Sequence, residues 1–332
     1  MQADLLRIPV GPGAMHVDRY GRGGAPVILI HGFGTSSFLW RYVGPELARR
    51  GHTAFALDLF GHGESDRPWD ADFGIAAQAE YLDRALTALR AGHPTVVGVG
   101  IGGAVALRLA ATRPERVAGL VLVNTPTLDL VPGREIRSLQ ARTARFPLRI
   151  SRSVLGVAPL LTPLLRESVS DPAAMPDRLV ARYLAPFVGR DGLRQLLTLA
   201  RSIRATDMTE LELADVTAPT LVVWGGRDQY LEPDVADRLV AGIAGARLER
   251  LPDAGRLVPE ERPDELATLI HDFVAHSTIS ITAPRFASTA ADRPDVSGHD
   301  AVEPGAVATD TVDADTADAD TDSAVGGDAA ER

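Results

Sequence analysis

The sequence predicts an α/β protein with a mostly parallel sheet and helices on both faces. Short apolar runs that end in turn-forming residues alternate with longer amphipathic stretches, which is the pattern of strands joined by crossover helices. The chain has 332 residues, 45% of them hydrophobic, so it can bury a sizeable core. Its longest apolar runs are too short to cross a bilayer.

Most of the predicted strands are short runs rich in Val, Ile or Leu. The predicted strands are residues 26–30, 53–58, 95–97, 117–123, 220–224 and 247–251. Residues 75–90 are predicted to be helical because Ala79, Leu82, Leu86 and Leu89 recur at spacings of three and four. Further helices are predicted before residue 50, over 104–112 and over 264–276. Residues 127–213 are rich in Leu and Arg and interrupted by prolines, which favours several short helices.

The net charge of −10 belongs almost entirely to the end of the chain. Residues 277–332 hold twelve acidic residues and three arginines, so the remainder is close to neutral. This segment has few large apolar side chains and is predicted to be a disordered acidic tail. A calcium loop starting at Asp318 would need Gly and Glu where Ser323 and Ala329 stand. The tail is therefore predicted to be solvated, with a protein partner as its possible interaction.

Cysteine is absent, so disulfides, thiol nucleophiles and thiolate metal sites are excluded. The N-terminus lacks the basic start and long apolar stretch of a signal peptide. We therefore expect a soluble, cytoplasmic protein without membrane attachment. Nothing in the sequence indicates a metal, an organic cofactor or a nucleic-acid partner.

The segment Gly98-Val99-Gly100-Ile101-Gly102-Gly103 follows an apolar run and opens a helical stretch. In the pattern G-x-S-x-G, a nucleophilic serine lies on a sharp turn between a strand and a helix. The outer glycines of that pattern are present here, but Gly100 occupies the position of the serine.

Several other segments, in order along the chain, carry a resemblance to a known family. They are His31-Gly32-Phe33-Gly34, residues 58–66, the segment 98–103, Trp224-Gly225-Gly226-Arg227-Asp228 and Leu251-Pro252-Asp253-Ala254-Gly255-Arg256. Together they resemble the α/β-hydrolase superfamily over residues 5–276. The resemblance implies a core formed by residues 1–126 and 214–276, with a helical cap formed by 127–213.

The resemblance also implies a site in which most of the catalytic triad is lost. Phe33 and Ile101 occupy the positions whose backbone amides form the oxyanion hole, and Asp228 occupies the position of the acid. Gly100 has no attacking oxygen. Arg256 stands at the histidine position, and its guanidinium has no lone pair with which to accept a proton. Acyl transfer by this route needs both a nucleophile and a base.

Two interpretations of Arg256 follow. It forms a bidentate ion pair with Asp228, in place of the usual His–Asp pair, or it presents its charge to an anionic ligand beside the two amides. We favour the ion pair. Asn124 occupies a place where some relatives carry an alternative acid, and an amide cannot serve as one.

Gly98-x-Gly100-x-x-Gly103 is also a dinucleotide-binding fingerprint, since it follows a strand and opens a helix. That fingerprint belongs at the first strand–helix turn of its domain, whereas at least two strand–helix units precede it here. The acid expected near the end of the next strand is replaced by Asn124. The dinucleotide interpretation is therefore disfavoured.

The leading hypothesis is a catalytically degenerate α/β-hydrolase-like protein that binds a small hydrophobic or carbonyl-bearing ligand in a capped pocket. Phe33, Ile101, Gly32 and Trp224 are predicted to bind this ligand. One alternative is a non-standard enzyme, with lyase, isomerase or weak hydrolase activity, that uses the oxyanion amides and a water beside Gly100. A second alternative is an interaction scaffold that acts through the acidic tail.

Overall fold

The protein is described here by a computed structural model that covers residues 1–145 and 156–282. Its strands are β1 (Asp4–Pro9), β2 (Ala14–Tyr20), β3 (Pro26–Ile30), β4 (Thr53–Leu57), β5 (Thr95–Val99), β6 (Gly119–Val123), β7 (Thr220–Gly225) and β8 (Arg247–Leu251). They form one sheet in the order β1-β2-β4-β3-β5-β6-β7-β8. The β2 strand pairs antiparallel with β1 and β4, and all the other pairings are parallel.

The helices connect these strands. They are α1 (Val43–Arg49), α2 (Ile75–Leu89), α3 (Ile101–Thr112), α4 (Arg134–Arg145), α5 (Ala158–Glu167), α6 (Asp177–Leu184), α7 (Gly192–Ser202), α8 (Asp234–Gly242), α9 (Val258–Glu261) and α10 (Pro263–Thr282). No helix of the described residues combines the length and apolar character that crossing a membrane requires. The predicted α/β-hydrolase fold class, with a mostly parallel sheet flanked by helices, is confirmed.

The central strands are buried on both sides, which explains their continuous apolar sequences. Along β3, Ile28 and Ile30 pack into one hydrophobic cluster with residues of α2, α3 and α8. Val27 and Leu29, which point to the opposite face, pack into a second cluster with residues of α1 and α10. Successive strand residues thus anchor helices on opposite faces of the sheet.

The hairpin of β1 and β2 was not among the predicted strands. Its two strands pair from Asp4 opposite Arg19 to Pro9 opposite Ala14. In β1, partly buried side chains alternate with exposed ones, so the strand is amphipathic and lies at the edge of the sheet. An edge strand has fewer apolar residues than the central strands, and a search for continuous apolar runs misses it.

Four α-helices, α4 to α7, lie between β6 and β7, and we call them the inserted helices. Between residues 124 and 219, the described residues form helices, turns and irregular segments, without a strand. At the other end of the chain α10 extends to Thr282, six residues beyond the predicted helix end at 276. The rest of the predicted tail, residues 283–332, lies outside the described residues.

The parallel strands bring four loops to one edge of the sheet. The loops that follow the carboxyl ends of β3, β5, β7 and β8 contain Phe33, Gly100, Asp228 and Arg256, respectively. Carboxyl ends of parallel strands meet at the same edge, which is where open α/β sheets bind ligands. The candidate site is therefore formed by residues that are far apart in sequence.

Candidate active site

Gly100 forms a sharp turn between β5 and α3. Its backbone has φ 54° and ψ −114°, a conformation that is strained for a residue with a Cβ. The Gly100 N–H donates to the carbonyl oxygen of Val123 over 3.1 Å, and its own carbonyl accepts from Ala104 N–H over 3.1 Å. The turn is thus fixed on both sides and has the position of a nucleophile elbow, without a side chain to act as the nucleophile.

The glycine-rich sequence at this turn reflects tight backbone packing. A Cβ on Gly103 would lie 2.8 Å from Cβ of Thr125, closer than real Cβ atoms approach. This glycine is therefore required by the contact between α3 and the segment after β6. At Gly98, too, a Cβ would lie 2.4 Å from the carbonyl oxygen of Gly102, so close packing requires both of these glycines.

The guanidinium of Arg256 lies directly above Gly100. Its Nη2 is 3.1 Å from the position that a Cβ on residue 100 would occupy. Arg256 is 9% exposed, and its Nη1 lies 2.9 Å from Oε1 of Glu135. The guanidinium carbon is also 5.5 Å from the ring centroid of Tyr230. A cation therefore occupies the space next to the missing nucleophile.

Arg256 is held in its charged form by its neighbours. Burial opposes the charge, but the carboxylates of Glu135 and Asp228 favour it and raise the pKa of Arg256 above its ordinary value. An arginine that is protonated at every working pH cannot act as a general base. It can act only as a positive charge and as a donor of hydrogen bonds.

The predicted ion pair between Arg256 and Asp228 is wrong. Among the described residues, the carboxylate within ion-pair distance of Arg256 is Glu135. Asp228 is instead held by other donors: its Oδ2 accepts from Asn124 Nδ2 over 3.0 Å, and its Oδ1 accepts from the Tyr230 N–H over 2.8 Å. The carboxylate of Asp228 thus has three donors, and Arg256 pairs with Glu135 instead.

Glu135 is the residue of this site that the sequence analysis missed. It lies in the first turn of α4, on the inserted helices, and it is 7% exposed. Its Oε2 is buried and has no hydrogen-bond partner among the described residues. The sequence offers no signal for this contact, because an acidic residue at the start of a helix is common for local reasons.

Two backbone amides beside Gly100 remain available as donors. Neither the Phe33 N–H nor the Ile101 N–H donates a hydrogen bond to another group of the described residues. Ile101 is the first residue of α3, where the helix dipole favours negative charge. These are the two positions that were predicted to form an oxyanion hole, and that assignment stays a prediction.

The loop that carries Phe33 is positioned by a buried histidine. His31 Nε2 accepts from the Leu59 N–H over 3.0 Å, so its Nδ1–H donates to the Gly32 carbonyl, 2.7 Å away. Burial lowers the pKa of His31, which keeps the ring neutral and preserves this pair of hydrogen bonds. His31 therefore has a structural function.

A small cavity lies between Gly100 and the inserted helices. Its volume open to the centres of water-sized molecules is about 30 Å³, enough for about two waters. On its polar side the cavity is lined by Gly32, Phe33, Gly100, Glu135, Tyr230 and Arg256. Leu161, Leu164 and Leu165 of α5 cover it on the apolar side.

Trp224, a further predicted ligand-binding residue, lies elsewhere. Its side chain is 1% exposed and packs in the hydrophobic core with helices α2, α3 and α8. Neither Trp224 nor Ile101 is among the residues that line the cavity, whereas Gly32 and Phe33 are. Within residues 1–145 and 156–282, no three His, Asp or Glu side chains come together as metal ligands would.

The fold is that of the α/β hydrolases. Residues 25–263 match the alpha/beta hydrolase fold family, and the chain therefore belongs to it. It is 28% identical over 285 residues to the 2-hydroxy-6-oxononadienedioate/2-hydroxy-6-oxononatrienedioate hydrolase of Paraburkholderia xenovorans, an alignment that covers 82% of this chain and 95% of that one.

Two haloalkane dehalogenases are also similar. The chain is 28% identical to that of Mesorhizobium japonicum, with 80% of this chain and 89% of the relative aligned. The crystal structure of the enzyme DbeA from Bradyrhizobium elkani superimposes with a TM-score of 0.71 at 26% identity, over 83% of this chain and 99% of that one. The relatives are hydrolases with different substrates, so the comparisons leave the substrate of this chain open.

Proposed function

We propose that this protein is a member of the α/β-hydrolase family that lacks Ser–His–Asp hydrolysis and binds a small carbonyl-bearing ligand beneath the inserted helices. The observation that carries the proposal is the guanidinium of Arg256 against Gly100. The nucleophile position has no side chain, and the base position holds a permanent cation. A water or ligand that enters the cavity meets neither an attacking oxygen nor a general base at the usual places.

Ligand binding is supported by what the site retains. The two amides of Phe33 and Ile101 and the start of α3 form a region of positive potential that suits a carbonyl oxygen. The leucines of α5 provide an apolar cover. We propose that the inserted helices act as the cap of this pocket, which the sequence analysis placed over residues 127–213.

Hydrolysis of activated esters tests the proposal. The wild type is compared with Gly100→Ser, Arg256→His and the double variant on short- and medium-chain esters. We expect background rates for the wild type and both single variants, and turnover only when nucleophile and base are both restored. Adding Asp228→Ala to the double variant should reduce that turnover, because the acid orients the introduced histidine.

Turnover by the wild type above background would contradict the proposal. If Asp228→Ala in the wild-type background then abolished the rate, Asp228 would belong to an unrecognised catalytic site. The variants Gly100→Ser and Arg256→His are controls for each other, since the first restores only the nucleophile and the second restores only the base. A functional pocket is shown only if the double variant exceeds both.

A second candidate function is favoured by Glu135. Its buried Oε2 has no partner among the described residues and lies beside a cavity that has room for about two waters. Such a carboxylate could accept a proton from a water that attacks a carbonyl held by the two amides. This route predicts weak hydrolysis that Glu135→Gln abolishes and Asp228→Ala leaves unchanged.

A further inference from the structure

One carboxylate oxygen of Glu135 has no hydrogen-bond partner among the described residues, and this favours ligands that can donate a hydrogen bond. Oε1 of Glu135 is paired with Arg256, whereas Oε2 is buried without a partner among the described residues. A buried acceptor that stays unsatisfied is costly, so an occupant that donates a hydrogen bond to it is favoured over one that does not. Glu135, Phe33 and Arg256 all line this cavity, so its wall combines a carboxylate with an unsatisfied oxygen and N–H donors.

We propose that the cavity recognises a small carboxamide, a ligand with a carbonyl oxygen and an adjacent N–H group. The carbonyl oxygen accepts from the backbone amides of Phe33 and Ile101, and the ligand N–H donates to Oε2 of Glu135. This inference rests on the proposed function and deepens it, since it names the class of the ligand. Glu135 is the residue that determines the specificity.

The charges of the site disfavour a carboxylate ligand. Arg256 supplies one positive charge, but Glu135 pairs with it and Asp228 lies near enough to act on it electrostatically. An added carboxylate would place an oxygen with a negative charge beside Oε2 of Glu135, and like charges at such distances repel. A neutral ligand avoids this repulsion.

The apolar cover and the size of the cavity also limit the ligand. A simple ketone has a carbonyl oxygen for the amides, but it has no donor for Oε2. The cavity of about 30 Å³ has room for about two waters, so the probes are chosen among the smallest carbonyl compounds. Acetamide, acetone and acetate have the same number of heavy atoms and differ in the group offered to Glu135.

These three molecules are the probes for the test. Each is titrated at neutral pH into the wild-type protein, and the amide NMR signals of Phe33 and Ile101 are followed. We expect acetamide to bind about tenfold more tightly than acetone and acetate, because a site that hydrogen-bonds an N–H discriminates against analogues that lack it. This comparison needs no variant, so it does not depend on the folding of a mutant.

Glu135→Gln then tests the residue itself. The glutamine keeps the size and one acceptor oxygen for Arg256, but it replaces the second acceptor with an N–H₂ donor. We expect the preference for acetamide to disappear and acetate to bind about tenfold more tightly than to the wild type. Glu167→Gln is the matched control, because Glu167 Oε2 accepts from the Tyr230 hydroxyl over 2.5 Å but does not line the cavity.

The outcomes separate this inference from the proposed function. Equal affinities of the three probes for the wild type, or an unchanged preference in Glu135→Gln, would overturn the carboxamide proposal and leave a general carbonyl pocket. If none of the probes shifted the signals of Phe33 and Ile101, the ligand-binding part of the proposed function would fail as well.

Discussion

The side chain of Arg256 fills the space that a side chain on Gly100 would need. Nη2 of Arg256 lies 3.1 Å, and Nε 3.4 Å, from the position of a Cβ on residue 100. Contacts at the shorter distance force the neighbour to move by a few tenths of an ångström. Packing therefore couples the glycine at residue 100 to the arginine at residue 256, and a side chain at residue 100 would displace the guanidinium.

The first prediction concerns the cost of a Cβ at the elbow. Gly100→Ala should lower the free energy of unfolding by about 2–3 kcal/mol, because it adds a close contact with Arg256 to the backbone strain. Gly92→Ala is the matched control, since Gly92 has a similar φ of 61° and no heavy atom within 4 Å of the added Cβ. That change should cost about 1 kcal/mol. Urea unfolding of both variants measures the difference.

Adding Gly100→Ala to an Arg256→Ala background isolates the contact. We expect the cost of the alanine at position 100 to fall by about 1 kcal/mol when the guanidinium is absent. An unchanged cost in the two backgrounds would mean that backbone strain accounts for the whole effect. The proposed coupling between the two positions would then be wrong.

The second prediction concerns the ion pair of Arg256 and Glu135. Arg256→Ala should lower the free energy of unfolding by about 3–5 kcal/mol, because it leaves the buried carboxylate of Glu135 without a counter-charge. The double variant Arg256→Ala/Glu135→Ala should lose less than the sum of the two single changes, with a coupling of about 1–3 kcal/mol. Chemical unfolding of the four proteins gives this cycle.

An exposed ion pair provides the control for this cycle. Arg227 and Asp253 lie 2.7 Å apart, with side chains 58% and 70% exposed. Arg227→Ala should change the stability by about 1 kcal/mol or less, since exposed pairs are screened by solvent. Equal losses of unfolding free energy in Arg227→Ala and Arg256→Ala would show that burial does not strengthen the ion pair of Arg256 and Glu135.

The central sheet could be predicted from the sequence because its strands are buried on both faces. The strand over 26–30 has the predicted limits, and both β4 and α2 end one residue before their predicted ends at 58 and 90. Runs of apolar residues between turn-forming residues are a local signal, and burial of a whole strand makes that signal strong. The edge hairpin formed by β1 and β2 lacks it.

The candidate site was predictable only where it depends on the backbone. Gly100 and Phe33 follow strands, so the topology alone brings them together at one edge of the sheet. The ion-pair partner of Arg256 depends on where the side chains lie in the folded protein. Helix α4 places Glu135 beside the guanidinium. Asp228 accepts hydrogen bonds from Asn124 and from two backbone amides instead. The placement of the inserted helices determines whether Arg256 pairs with Glu135 or with Asp228. No local sequence pattern specifies that placement.

The third prediction concerns the loss of stability in acid. Burial and the neighbouring imidazole of His31 hold the pKa of His62 well below its ordinary value of 6.5. The unfolded chain binds a proton below about pH 6.5 that folded His62 does not, so the free energy of unfolding falls by about 1.4 kcal/mol per pH unit in that range. His62→Phe should therefore make the acid limb of a stability–pH curve shallower.

His16 provides the opposite case. Its hydrogen bond with Asp18, at 3.0 Å, outweighs burial and raises the pKa of His16 above 6.5. The stability that it contributes is fully present below about pH 6.5 and is lost as the pH rises through the raised value. His16→Gln should thus destabilise the protein in acid more than in alkali.

Parallel stability–pH curves for the wild type and His62→Phe would contradict the interpretation of His62.

The last prediction concerns the attachment of the inserted helices to the core. Tyr183 of α6 is 1% exposed, and its hydroxyl donates to Oε1 of Glu260 on α9. Glu260 also accepts two hydrogen bonds from Arg41, over 2.6 and 2.7 Å. Burial and the Glu260 carboxylate raise the pKa of Tyr183, so its proton is retained and the donor is permanent. A buried charge with three donors is well satisfied, and removing any one donor has a cost.

Tyr183→Phe should lower the free energy of unfolding by about 1.5–3 kcal/mol, the range for hydrogen bonds to charged groups. Tyr42→Phe is the control, because Tyr42 is 54% exposed and its ring contacts the same Arg41. Glu260→Gln should lower the free energy of unfolding more than Tyr183→Phe does, since it removes the counter-charge of Arg41 as well.

Because α6 packs against α5, which covers the cavity, Tyr183→Phe should also increase protease cleavage in the inserted helices. Equal stability and protease resistance of the two tyrosine variants would show that this hydroxyl does not hold the helices over Gly100.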